Sequence, residues 1–248
     1  MYGGALERRW RRQRADLLRL PWDTIDVTRL TDEERAAARR FWTAAAFQEH
    51  KTAAACAATV EALIAAQAPI DLIAHASGFL TDEMAHVELC ARVTALVGGG
   101  ATIEYKPADL VPSLIATDAL ERAAELVLRV FCVGEAFSVP MQRATARAEA
   151  RPLLASVWRR IAKDEAAHGR FGWLFFDWAG DLLADRAKAH LRHIASAAIA
   201  EVETSLAPSG GAPVAPFGWL PPAAYQREAR RALDNDVKGP LEARGLLR

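Results

Sequence analysis

Two five-residue stretches constrain this chain more than any other feature: Asp82-Glu83-Met84-Ala85-His86 and Asp164-Glu165-Ala166-Ala167-His168. Both lie inside long apolar runs of helical periodicity. Residues three apart on a helix share a face and lean toward one point. Glu83 with His86, and Glu165 with His168, therefore each aim an oxygen and a nitrogen at one place. A single Glu-x-x-His is weak evidence, because both residues are common on helix surfaces. Here each is preceded, about 30 residues upstream, by a lone glutamate on another apolar run, Glu49 before Glu83 and Glu135 before Glu165. The order Glu, Glu-x-x-His, Glu, Glu-x-x-His supplies the ligands of a dinuclear metal site built across four helices.

Charge explains why such a set needs metal. Four carboxylates in one core repel one another, and burial adds to the cost, so without metal their pKa values rise and the fold weakens. Two divalent cations oppose four negative charges with four positive ones. Two imidazoles complete a mixed oxygen and nitrogen shell, which suits iron or manganese better than a thiolate-preferring metal. Six protein ligands for two metals leave positions for water, oxygen or substrate.

The 248 residues, 52% of them hydrophobic, suit one domain with extra helices and a sizeable core. The formal net charge of zero argues against a nucleic-acid or acidic-lipid binder, whose affinity leans on excess lysine and arginine. Three cysteines without a Cys-x-x-Cys rule out a four-thiolate iron centre and argue against a disulfide framework. We expect no signal peptide, no membrane span and a reducing, cytoplasmic setting.

In chain order, residues 5 to 19 read as a short basic helix ended by Pro21, either a membrane or partner helix or, the preferred reading, a segment laid across the bundle. Thr31 with Glu34 is a capping-box signature, so the first long helix starts there and runs to about Gln67. Its stripe is Trp42, Ala45, Ala46, Glu49, Ala53 and Cys56. A lone buried glutamate there is costly unless paired or metal-bound. His50 points away from it. Pro69 opens the second helix, whose inward stripe is Leu72, Phe79, Glu83, His86 and Cys90, and which ends near Gly98. His75 reads as an ordinary helix histidine. Residues 99 to 113 are a crossover. Asp118 caps the third helix, which carries Phe131, Cys132, Glu135 and Ser138. Pro140 predicts a kink or a widened turn one turn after Glu135, as a simple bend or as an opening beside the metals. Pro152 opens the fourth helix, with Trp158, Ile161, Glu165, His168, Gly172 and Phe175 inward. Two further helices are expected near 184–205 and 221–236, joined by a lid-like loop over 207–218. His190 and His193 read as surface residues without an acidic partner, and the three cysteines as small apolar packers. Phe131, Ser138 and Phe175 are candidates to shape a pocket.

These motifs resemble the ferritin-like di-iron carboxylate superfamily over roughly residues 31 to 183. The stretch Cys132-Val133-Gly134-Glu135 with Asp164-Glu165-x-x-His168 is similar to a bacterial ferritin-like group without an assigned reaction. The resemblance implies an all-α fold: a ferritin-like antiparallel four-helix bundle with one long crossover and additional N- and C-terminal helices. It implies one domain over 1–248, with a bundle core at about 31–183 and a C-terminal helical extension over 184–248. The implied metal ligands are Glu49, Glu83, His86, Glu135, Glu165 and His168, holding two iron ions, with manganese or a mixed pair as the variant. Asp82 and Asp164 would each serve the histidine of the facing helix, taking its other N–H.

The implied activity is that of an oxidoreductase activating O2 to oxidise or oxygenate a small organic substrate, drawing on an external electron donor, the chain acting alone or as a homodimer. The alternatives are an iron-handling ferroxidase and a manganese or peroxide-consuming enzyme. Three departures narrow the first reading. Ile161 stands where arylamine N-oxygenases of the superfamily carry an extra histidine. Ala85 and Ala167 stand where many hydroxylases and desaturases have arginine. The only tyrosines, Tyr2, Tyr105 and Tyr225, lie outside the expected bundle helices, against a radical-generating subunit.

Overall fold

Thr31 starts the first long helix as the capping signature predicts. Its side chain accepts from the Glu34 backbone N–H, and the Glu34 carboxylate accepts from the Thr31 N–H in return. The structure, a computed structural model, describes residues 3–206 and 217–247. Every regular element among them is helical, and no described helix is long and apolar enough to cross a membrane.

The N-terminal segment forms α1 (Gly4–Gln13) and α2 (Ala15–Leu18), broken at Arg14 rather than running unbroken to Pro21. The long helices are α3 (Asp32–Ala65) and α4 (Ile70–Leu96), joined by a tight turn at Gln67, which takes a positive φ. After the crossover come α5 (Ala119–Val127), a π-helical segment (Leu128–Glu135) and α6 (Ala136–Ala148), continuous as one rod. Then follows α7 (Pro152–Ala179), with Pro152 in its first turn as expected. α3 packs along α4, α6 along α7, α5 on α3 and α4 on α7, which closes the four rods into a bundle. α8 (Asp185–Ser205), α9 (Pro222–Ala232), a second π-helical segment (Leu233–Lys238) and α10 (Gly239–Ala243) pack outside it.

The widened turn does not fall where Pro140 placed it. It precedes Glu135 instead of following it, and α6 carries Pro140 through without a break. Proline cannot tolerate the usual approach of the carbonyl four residues back, and the rod takes up its extra residue in the turns before that point. Glycines on α7 make room for this bulkier stretch. An added Cβ at Gly172 would lie 2.5 Å from Cys132 Sγ and 3.1 Å from the Cys132 nitrogen, and one at Gly169 would lie 3.2 Å from Val139.

Two apolar cores flank the site. One gathers Phe79, Phe131, Phe171 and Phe175 with the inner face of α8. The other is a tryptophan cluster in which Trp42 stacks on Trp158. Most of the 207–218 loop lies outside the described residues. Its end does not: the Phe217 and Gly218 carbonyls accept from the Trp42 and Trp158 indole N–H groups. A Cβ at Gly218 would meet Trp42 at 2.8 Å on a backbone of φ +90°, so only glycine fits there.

Candidate metal centre

All six sequence-selected ligands come together in the bundle core. Glu83, His86 and His168 are fully buried, Glu165 is 1% exposed, and Glu49 and Glu135 lie at 8% and 6%. Four rods bring them in: Glu49 on α3, Glu83 and His86 on α4, Glu135 at the end of the π-helical segment, and Glu165 and His168 on α7.

The oxygens and nitrogens sort into two overlapping groups. Glu49, Glu83, His86 and Glu165 place ligand atoms within 4.8 Å of one another, and so do Glu135, Glu165 and His168. Glu165 faces His86 Nδ1 with one oxygen, at 3.1 Å, and His168 Nδ1 with the other, at 2.6 Å. Glu83 does the same, at 3.7 Å from His86 and 3.0 Å from His168. Two carboxylates therefore span both histidines, while Glu49 stands on the His86 side only.

The outer nitrogens fix what the inner ones can do. His86 Nε2 is 3.1 Å from Asp164 Oδ2, across from α4 to α7, and His168 Nε2 is 3.8 Å from Asp82 on α4. Asp164 thus serves the histidine of the facing helix, whereas Asp82 lies beyond hydrogen-bond reach of His168, whose Nε2 is buried without a partner among the described residues. With Nε2–H directed to Asp164, a neutral His86 turns the Nδ1 lone pair toward the glutamate oxygens. A lone pair facing carboxylates is repulsive unless a proton or a cation lies between them. Both oxygens of Glu83, Glu165 Oε2 and both histidine Nδ1 atoms are buried without a hydrogen-bond partner among the described residues. A cation about 2.0–2.2 Å from each donor would set them roughly 3–4 Å apart, a range that these distances meet except for the 2.6 Å between Glu165 and His168. The buried glutamate and histidine donors could hold a metal ion.

Protonation shows the cost of the same groups without metal. Burial pushes Glu49 up to about 7 despite the opposing pull of nearby His86, with Glu83 and Glu165 pushing the same way as burial. Burial, with the charges of Glu165 and Glu83, raises Glu135 well above the carboxylate range. Burial alone would lower both histidines, but the surrounding carboxylates outweigh it. His86 rises well above its ordinary value, and His168, facing the carboxylates of Asp82, Glu165 and Glu83, is pushed up to about 12. Burial works against an ionised Glu165 as well, yet the two histidines overcome it and hold this carboxyl below its usual range.

Sequence reasoning missed the cations behind the aspartates. Arg14, between α1 and α2, donates to Asp82 at 3.1 Å. Arg160, one turn before Asp164 on α7, meets that residue and also Asp16 of α2, at 2.8 Å. The N-terminal segment therefore lies across the bundle and pins both outer aspartates. Helical spacing made Arg160 findable, whereas nothing local announces Arg14. His190 is a correction: it has an acidic partner, the buried Glu125 of α5, which also accepts from the Ile115 backbone N–H at 2.9 Å. His50 and His75 are exposed, His75 lying against Phe79 and Phe171. All three cysteines are buried and reduced.

A cavity of about 880 Å3, open to solvent, reaches the centre from the side of Glu49, Glu135 and Glu165. Ser138 lines it and donates to Glu135 Oε2 at 3.0 Å. Phe131 and Phe175 do not line it. They are fully buried in the aromatic core, because the inward stripe that carries them faces packing partners rather than the opening. Tyr225, outside the bundle rods, does line it. No family model matches the chain, and neither a curated protein nor a solved structure matches it.

Proposed function

We propose that this chain is a ferritin-like non-haem di-iron oxidoreductase that activates O2 to oxidise or oxygenate a small organic substrate. The observation that carries the reading is the pair of carboxylates, Glu83 and Glu165, each spanning both histidines inside a closed four-rod core. Glu49 and Glu135 complete the set, one toward each histidine. Two ferrous ions bound there would supply two electrons to O2. The protein's part is positional and electrostatic. Asp164 holds the His86 ring with Nδ1 inward, and Asp82 faces the outer nitrogen of His168. Arg14 and Arg160 keep those aspartates in place. The buried, water-poor walls of Phe79, Phe171 and Ile161 limit access from the histidine side, since an oxidising centre needs shelter from bulk water.

The cavity favours an organic substrate over iron turnover alone. Its volume matches that of small-molecule sites, and it meets the centre where glutamates, not histidines, are exposed. The iron-handling and manganese readings share the ligands and differ in metal and in the use of this space.

Elemental mass spectrometry on the anaerobically iron-loaded chain tests the reading. About two metals per chain are expected, with O2 uptake following ferrous loading. Glu165→Ala should fall to one metal or none while far-UV circular dichroism stays helical, because that carboxylate belongs to both groups. Two metals retained in the variant would show that the site is misassigned. Failure of the native chain to load at all would remove the enzyme reading.

A further inference from the structure

The cavity beside the centre carries two polar groups that the metal site does not use. Arg129 lies on the π-helical segment that ends in Glu135, and its side chain is 20% exposed. Its Nε has no partner among the described residues, and its one carboxylate neighbour, Glu201, is 3.9 Å away and 74% exposed. An ion pair that long and that wet is a weak tether. Gln142, on α6, is 6% exposed, and its side-chain Oε1 is likewise without a partner. Both residues line the cavity that reaches Glu49, Glu135 and Glu165. A buried guanidinium edge and a buried amide facing one cavity are groups that a ligand satisfies, since leaving either unpaired inside the protein is costly.

We infer that this cavity binds a hydroxylated organic carboxylate, with the acid group on Arg129, an O–H of the molecule donating to Gln142 Oε1, and an apolar body along Val130, Val133 and Phe137. This names the substrate class of the proposed oxidoreductase and rests on that reading. A guanidinium matches a carboxylate through two parallel N–H donors. The remaining charges of the wall argue for a single negative charge on the ligand. Lys51 is the other cation, whereas Asp109 and Glu201 add to the carboxylates of the centre. A doubly charged phosphate would meet that excess of negative charge. The apolar lining gives the rest of the molecule a dry surface, and the position of Arg129, on the same segment as Glu135, would hold the body of the acid between the cation and the metals.

The test is calorimetric titration of the metal-loaded chain with 3-hydroxyoctanoate and mandelate, each against its neutral amide, in the native protein, Arg129→Gln and Arg129→Lys. At least one acid should bind at least tenfold tighter than its amide. Arg129→Gln should weaken that acid by about 10- to 100-fold, the range expected for loss of a charged hydrogen bond, and Arg129→Lys should fall between. Metal content should be equal in all three proteins, because Arg129 touches none of the ligands. No preference for acid over amide in either pair overturns the inference, and so does a preference that survives in Arg129→Gln, since the acid would then sit on the metals. If the native chain holds no metal, the oxidoreductase reading fails by itself, and the same titrations on that chain still decide whether Arg129 recognises carboxylates.

Discussion

Replacing Gly172 by alanine should destabilise the chain, although the same change in an ordinary helix stabilises it. Gly172 sits within α7, one turn beyond His168. Alanine is about 1 kcal/mol better than glycine in a helix interior. Against that gain stands the close seam with the π-helical segment. The new Cβ would lie 2.5 Å from Cys132 Sγ, 3.1 Å from the Cys132 nitrogen and 3.2 Å from Phe131 Cβ. Cys132 and Phe131 are fully buried, so neither has room to retreat. Overpacking of this kind costs about 1–3 kcal/mol, and two backbone-proximal contacts place it at the upper end, for a net loss of about 2 kcal/mol. With a urea slope near 3 kcal/mol/M for a chain of this size, the midpoint should drop by about 0.7 M. Gly78 on α4 is the control: its added Cβ meets nothing within 4 Å, so Gly78→Ala should raise the midpoint by roughly 0.3 M. Urea titration of the chelated proteins reads both. Adding Cys132→Ala to Gly172→Ala should recover part of the loss, because the sulfur obstacle goes and the backbone one stays. A Gly172→Ala midpoint at or above the native one would refute the packing argument, for helix propensity alone would then account for it.

The remaining predictions concern the centre. Asp164→Asn should weaken metal affinity by about 10- to 100-fold in competition with a chelator, because the oriented His86 loses its carboxylate, while the helical spectrum is unchanged. Unaltered affinity would assign Asp164 to the Arg160 and Asp16 surface network alone. Thermal melting of the metal-free chain should show stability falling as pH rises from 5 to 8. Glu49, Glu135, His86 and His168 all have raised pKa values, so above about 4.5 the folded chain holds more protons than the unfolded one. The Glu49 share is lost between its ordinary value of 4.5 and about 7, and that of His168 declines from 6.5 toward about 12. Glu165, held low, acts in the opposite direction only below its ordinary range. Bound metal should reverse the slope, since it competes with those protons. A metal-free chain that gains stability over this interval contradicts the protonation pattern.

The six residues that meet in the core were legible because each obeys a local rule. Spacing of three puts Glu83 with His86 and Glu165 with His168 on one face, and a lone glutamate on an apolar stripe marks Glu49 and Glu135. The start of α3 was legible for the same reason, since Thr31 and Glu34 answer each other within one turn. What escaped depends on distant partners. Arg14 reaches Asp82 across 68 positions, and His190 meets Glu125 across 65. No periodicity encodes such pairs. Pro140 signalled a disturbance of its rod but not its side, because the seam with Gly169 and Gly172 of α7 decides where an extra residue fits. Phe131 and Phe175 read as pocket residues because an inward stripe does not distinguish a wall from a filling.

The centre is also asymmetric in a way that bears on approach. On the histidine side, both rings are sealed, and the chain Asp16, Arg160, Asp164, His86 runs from the N-terminal segment to the core without leaving an opening. On the glutamate side, Glu49, Glu135 and Glu165 border the cavity, and none of the histidines or outer aspartates does. Fully buried imidazoles, His86 hydrogen-bonded to Asp164 through Nε2, have little room to move. A carboxylate has a second oxygen and a flexible stem, and can change its contacts without leaving the site. The segment that ends in Glu135 is itself widened into a π-helical turn. The side that can rearrange is therefore the side that a substrate reaches. The side that cannot is the one braced by Arg14 and Arg160, which gives the N-terminal helices a role in the centre although they contribute no ligand to it.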